Sequence, residues 1–296
     1  MASKKSTQKH YPVVRTMPLS EASPFSNVAT RAIDCGRILS QANRRLYRQG
    51  RYYKVKIDLE SDSATKFEVY TLRDDWAIQK GFQLAYAMYL KNSSEEMEAL
   101  GQNRMARWGD FRVFHGAGTV NSNYVDVGPV FSSDSGLTSR ELVGQGEFQD
   151  TQVVIADGTE KRFTFAESGT ASQYSILQEY DKVGNAQGTP NSLVGTAVAY
   201  DDIETEMDAA QAGNLETKGN LPPYDQNGVN ANGPYVKVAT LNASNPEASK
   251  LSTGFFTAPC GIVLIKQEAA SDIRGKYSLT VAAGDYKGVH APSMLE

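Results

Sequence analysis

The stretch "YKVKIDLE", residues 53–60, alternates strictly: Tyr53, Val55, Ile57 and Leu59 face one way, while Lys54, Lys56, Asp58 and Glu60 face the other. Successive side chains of a pleated backbone point to opposite faces, so this period of two specifies a half-buried β-strand. The pattern returns in Phe67, Val69 and Thr71 after the turn-like "SDSAT". It returns again in Phe111 with Val113, in Phe163 with Phe165, and in Tyr277, Leu279, Val281 and Ala283. "VKVATL" (236–241) and "CGIVLIK" (260–266) are more continuously apolar or β-branched, as expected of strands covered on both faces. Strands that recur without alternating helices predict an all-β antiparallel sandwich or barrel.

Helical periodicity interrupts this pattern twice. Val28, Ala32, Cys35, Leu39, Ala42 and Leu46 recur at steps of four and three, which predicts an amphipathic helix capped by Ser26 or Asn27 and stopped by Gly50. Gly36 weakens that helix by about 1 kcal/mol relative to alanine. In "DDWAIQKGFQLAYAMYLKNSSEEMEALG" (74–101), Ile78, Phe82, Ala85 and Tyr89 share a face behind the candidate cap Asp74. Ser93 and Glu96 have capping-box spacing and Gly101 supplies a stop, which predicts a second, short helix. This insertion is expected to cover one end of the sheets. Residues 184–234 are rich in glycine, asparagine and acids, with one candidate helix around Ile203, Met207 and Ala210 and a stiff Pro222-Pro223-Tyr224 segment. A loop of that length in a compact domain suits partner binding.

Charge divides the chain differently. Residues 1–56 hold 12 lysines and arginines against two acids, Glu21 and Asp34, a net of +10. Of the totals of 30 basic and 34 acidic residues, 18 and 32 remain for residues 57–296, a net of −14. A basic segment on an acidic body is the footprint of an arm meant for a polyanion, and residues 1–27, rich in Ser, Lys, Thr and Pro, read as an adaptable tail. Arg31, Arg37, Arg44, Arg45 and Arg48 lie off the apolar stripe, and Arg51 follows it. With Lys4, Lys5 and Lys9 they are the candidate nucleic-acid-binding residues. Arginine suits this role because its planar fork bridges phosphate oxygens and stacks on bases; Tyr47, Tyr52 and Tyr53 are candidate stacking surfaces. The plainer reading of such a run is a solvated helix face.

A search for catalytic chemistry finds little to build on. His10, His115 and His290 have no zinc-ligand spacing, "HGAGTVN" holds a G-x-G without a third glycine, and Ser135 lacks the G-x-S-x-G elbow. Asp74 with Asp75, and Asp201 with Asp202, could offer oxygen to calcium, although acids before a helical pattern are more often caps. Cys35 and Cys260 are too few for a disulfide framework and read as packed thiols. Asn92 and Asn242 open N-x-[ST] triplets that read as chance, since the N-terminus lacks the apolar core of a secretory signal. No stretch approaches the roughly 20 apolar residues of a membrane span. The expectation is a soluble chain with no enzymatic activity, no cofactor, no metal and no membrane partner.

The order "RYYKVKIDLE", "DDWAIQKGFQLAYAMYLKNSSEEMEALG" running into "ARWGDFRV", an acidic helix leading to "LPPYD", then "TAPCGIVLIK" and "LTVAAGDYKGVHAP" resembles capsid proteins of circovirus-like, circular Rep-encoding single-stranded DNA viruses. The resemblance spans most of residues 50–292 and rests on the order of motifs that are each weak alone. It implies a viral single jelly-roll β-sandwich, residues 51–296, with a helical insertion and long surface loops, preceded by a basic N-terminal arm, residues 1–50. It also implies self-assembly into an icosahedral shell of 60 copies around a single-stranded DNA genome. Location in the virion follows, with passage through the host nucleus during assembly. The familiar arms are longer and richer in arginine than residues 1–27 here. Rival readings are a jelly-roll coat protein of an RNA virus, a non-viral β-sandwich that binds carbohydrate or mediates adhesion, and a β-sandwich hydrolase.

Overall fold

A computed structural model describes residues 12–21, 30–61, 65–100, 109–116, 124–129, 151–154, 158, 160–165, 173–185, 233–243, 249–268 and 275–295. The predicted helix around Ile203, the Pro222-Pro223-Tyr224 segment, Asp201 and Asp202, Ser135, Lys4, Lys5, Lys9 and His10 lie outside them. In chain order the elements are β1 (Thr16–Glu21), β2 (Thr30–Asp34), α1 (Cys35–Asn43), β3 (Tyr52–Ser61), β4 (Thr65–Leu72), α2 (Trp76–Leu100), β5 (Tyr124–Pro129), β6 (Gln152–Val154), β7 (Glu160–Thr164), β8 (Gln173–Ser175), α3 (Ile176–Asn185), β9 (Tyr235–Ala243), β10 (Ser249–Ser252), β11 (Phe256–Pro259), β12 (Ile262–Glu268) and β13 (Gly275–Val281).

The fold is mostly β, with strands in antiparallel sheets and few helices. The main sheet runs β10-β3-β13-β1-β5-β2-β12-β4-β9, with β11 also paired to β3, and β6, β7 and β8 form a small second sheet. Pairing is antiparallel except at β2 with β5 and β7 with β8. β3 and β4 follow each other but lie in different halves of the main sheet, as do β12 and β13. β3 pairs β13 and β4 pairs β12, so two antiparallel chain segments fold over together.

The two halves face each other across one core. Val55, Ile57 and Leu59 of β3 and Leu279 of β13 meet Phe67 and Val69 of β4 and Val263 and Ile265 of β12. The rings of Phe67 and Tyr277 cross edge to face with centroids 6.3 Å apart. The alternation read from Tyr53 to Leu59 is therefore the inward register of β3. On the opposite face of the β12 half, Ile262 and Leu264 join Ile78, Phe82 and Ala85 of α2, with Phe111, Val113, Phe163 and Phe165, in a second core. β12 is thus buried on both faces, which explains its unbroken apolar run.

Several expectations are corrected. The 28–46 stripe is not one helix: residues 30–34 form β2 between β5 and β12, and α1 begins at Cys35, where the Asp34 side chain accepts from the Arg37 N–H at 3.0 Å. Alternation of Arg31, Ala32 and Ile33 between two covered faces mimics a helical stripe over so short a window. Gly36 is a site of close approach, since a Cβ there would stand 3.0 Å from the Tyr47 carbonyl oxygen. β1 falls inside the segment read as a tail; it pairs β13 and β5 and buries Met17 and Leu19. The charge boundary is consequently not a boundary of the fold.

α2 is a single 25-residue helix, capped by Asp75, which accepts from the Ile78 N–H at 2.9 Å. The Ser93 hydroxyl bonds back to the Tyr89 carbonyl at 2.7 Å, so it caps nothing. "VKVATL" lies in β9, which pairs β4 at the end of the main sheet's strand order among the described residues, and Val236 is 46% exposed; β-branching there reflects strand propensity and not two-sided burial. Phe111 and Val113 are buried in an extended segment without a strand, and β13 ends before the exposed Ala283.

Candidate nucleic-acid interface

The arginine-rich segment is built around Tyr47 and Gln49. After α1, Arg44 takes a left-handed backbone (φ 51°) and donates its N–H to the Ser40 carbonyl, ending the helix. The Ser40 hydroxyl then accepts the Tyr47 N–H at 2.8 Å, which folds the chain back along α1. Tyr47 is fully buried and donates its hydroxyl to the Lys287 carbonyl at 3.0 Å. Gln49 acts as a surrogate strand for Val113, accepting its N–H at 2.7 Å and donating Nε2 to its carbonyl at 3.0 Å. The Gln49 N–H reaches the Asp110 carboxylate at 2.9 Å.

This frame sorts the candidates. Arg31 is buried, its guanidinium 5.4 Å from the centre of the Tyr277 ring, so it belongs to the sandwich interior. Arg37 is half-buried on α1. Arg44, Arg45 and Arg48 are exposed. Arg51 is half-buried, donates Nη1 to the Ala291 carbonyl at 2.8 Å and stacks 3.5 Å from the centre of the Tyr286 ring. Lys4, Lys5 and Lys9 lie outside the described residues. Tyr47 and Tyr53 are not stacking surfaces: both are fully buried, and the Tyr53 hydroxyl donates to the Arg48 carbonyl at 2.6 Å. Tyr52 is half-buried against the second core.

Two further cations join from elsewhere in the chain. Lys287 sits in a two-residue turn closed by reciprocal hydrogen bonds between Tyr286 and Val289 at 3.1 and 3.0 Å. Lys287 (φ 50°) and Gly288 (φ 90°) are both left-handed, as such a tight hairpin requires. The Lys287 amine donates to the Leu46 carbonyl, and Arg15 reaches the Gly288 carbonyl at 3.2 Å. Burial pulls the Lys287 amine below the usual lysine range, and Arg48, Arg45 and Arg51 lower it further. That Lys287 would land among residues 45–51 was not legible in the sequence.

The neighbouring acids are engaged elsewhere. Arg112 bridges Asp34 and Asp110, lying 3.8 Å from the latter. Burial raises the Asp110 carboxyl to about 6, against the downward pull of the Gln49 N–H, Arg112 and Arg48. Both cysteines are fully buried, and burial pushes their thiols well up. Among the described residues no cluster of His, Cys, Asp and Glu could hold a metal ion, and no helix is long and apolar enough to cross a membrane. Compared with family models, with curated proteins and with solved structures, the chain matches none.

Proposed function

We infer that this chain is the structural subunit of a closed icosahedral shell, a viral jelly-roll capsid protein that encloses single-stranded DNA. The observation that carries the reading is the segregation of +10 and −14 along the chain, with Arg44, Arg45 and Arg48 presented to solvent from one rim of a β-sandwich. Phosphates confined in a shell repel one another, and cations on every subunit offset that by displacing condensed counterions without reading sequence. The paired β3–β4 and β12–β13 segments support the jelly-roll reading, because wrapping an antiparallel ribbon around a core is how that fold is made.

The −14 body fits contacts with neighbouring subunits and solvent. Phosphate neutralisation does not distinguish sugars, so an RNA genome is the second reading. Electron microscopy of the purified protein tests the class: uniform closed particles are expected, and a monomer at every pH and salt concentration would remove the shell reading in favour of a binding module. Nuclease digestion of the contents with enzymes specific for DNA or RNA separates the two genomes.

A further inference from the structure

We propose that Arg45, Arg48 and Lys287, flanked by Arg15 and Arg51, form one built site for the phosphodiester backbone of a single nucleic-acid strand. This deepens the shell reading and rests on it: the contact is a discrete place on the folded subunit, where the sequence alone suggested a diffuse arm.

Three segments distant in sequence converge here, the approach to β1, the turn after α1 and the C-terminal hairpin. Like charges so gathered repel one another, and a bound anion relieves that repulsion. Among the described residues, the Arg45 and Arg48 guanidinium groups have neither a hydrogen bond nor an ion pair, so their donors are open. Asp110, an acid that acts on the Lys287 amine, already accepts the Gln49 N–H at 2.9 Å. Arg51 is pre-oriented, one nitrogen on the Ala291 carbonyl and its plane on Tyr286, which leaves fewer rotamers to freeze when an anion arrives.

The backbone sets where the lysine sits. Among the described residues, the non-glycine positions with left-handed φ are Arg44, Cys260 and Lys287, and two of these three are basic residues at this rim. Such a conformation costs about 1 kcal/mol or more and clusters where function requires it. A tight turn that favours Gly, Asn or Asp here carries lysine, and its amine is thereby held between the arginines.

The chemistry selects the phosphate backbone, since guanidinium and ammonium groups pair with phosphate oxygens that every nucleotide of a strand presents. The Tyr286 ring already carries Arg51 and meets Tyr47 at 88°, so one of its faces is covered. The site therefore grips phosphates and is indifferent to sequence.

The test uses full-length protein carrying Lys4→Gln, Lys5→Gln and Lys9→Gln, so that the N-terminal lysines do not contribute, and follows a labelled oligothymidylate by fluorescence anisotropy across salt concentrations. Binding should persist in this background. Adding Arg45→Gln with Arg48→Gln should weaken it and shrink the log–log salt slope by roughly 0.7 per lost phosphate contact, equally for oligothymidylate and mixed sequences. Lys287→Gln should act in the same direction, with circular dichroism checking the turn it anchors; the Arg45/Arg48 pair, whose guanidinium groups have no partner among the described residues, keeps the test valid if that variant misfolds. An unchanged slope in the Arg45/Arg48 variant would overturn the site and leave the shell reading standing. No oligothymidylate binding by the wild type at low salt would remove both. Binding of heparin without oligothymidylate would assign the rim to a sulfated polysaccharide and overturn the proposal.

Discussion

Asp110 and Glu68 are two nearly inaccessible carboxylates with opposite consequences. Burial dominates at Asp110 and raises it to about 6, so the folded state holds its proton more tightly than the unfolded chain does. Its contribution is complete below the ordinary carboxylate range near 4 and is lost as pH rises through about 6. Asp110→Asn should therefore flatten the fall in denaturant midpoint between pH 4 and 6.5; parallel wild-type and variant curves would refute this. At Glu68, hydrogen bonds from Lys237, Tyr70 and Lys66 hold the carboxyl down at about 2. That contribution is present above the ordinary range and lost as pH falls towards 2, so Glu68→Gln should blunt the acid limb alone. Gly261 is a steric case, with φ 68° and a Cβ position 2.9 Å from the Tyr53 ring. Gly261→Ala should cost roughly 2 kcal/mol, read as a lower urea midpoint with unchanged slope. None of these three environments was legible in the sequence, because each depends on what a distant segment brings to the residue.

Among the elements, β3, β4, β12 and most of β13 were legible, since each repeats an apolar pattern longer than any competing helical one. β1 was not: its inward pair, Met17 and Leu19, is flanked by prolines and lysines whose composition argues for a tail. β2 was hidden by the coincidence of periods two and three-to-four over five residues. α2 was recognised, but Ser93 suggested a break that its bond to the Tyr89 carbonyl removes. These misreadings bear directly on truncation. Removing residues 1–27 deletes a strand paired on both sides, so the remainder should lose its cooperative thermal transition, whereas removing residues 1–11 should leave it intact. A cooperative transition at unchanged temperature in the longer deletion would show that β1 is dispensable. Of the candidate interface, the exposed arginines were visible as a run; the burial of Arg31 and the arrival of Lys287 and Arg15 required the tertiary fold.

For the whole molecule, the +10 segment is woven into the sandwich, so charge and fold do not divide the chain at the same place. Replacing Arg44, Arg45 and Arg48 with Gln should leave folding and particle formation intact while lowering the ratio of absorbance at 260 to 280 nm in purified particles. Unchanged nucleic-acid content would show that these arginines do not face the interior, and failed assembly with normal folding would place them at a subunit contact. The pairing of β3 with β13 and β4 with β12 also sets a clock for the nascent chain. β4 and β3, the first of these strands to leave the ribosome, wait for partners roughly 190 and 215 residues downstream, which at about 5–20 residues per second is on the order of 10–40 s. Until then the edges of β3 and β4 that will meet β13 and β12 remain open to other chains. Synthesis of β13 and the Tyr286–Val289 turn that follows it is thus the step at which both halves of the main sheet can close.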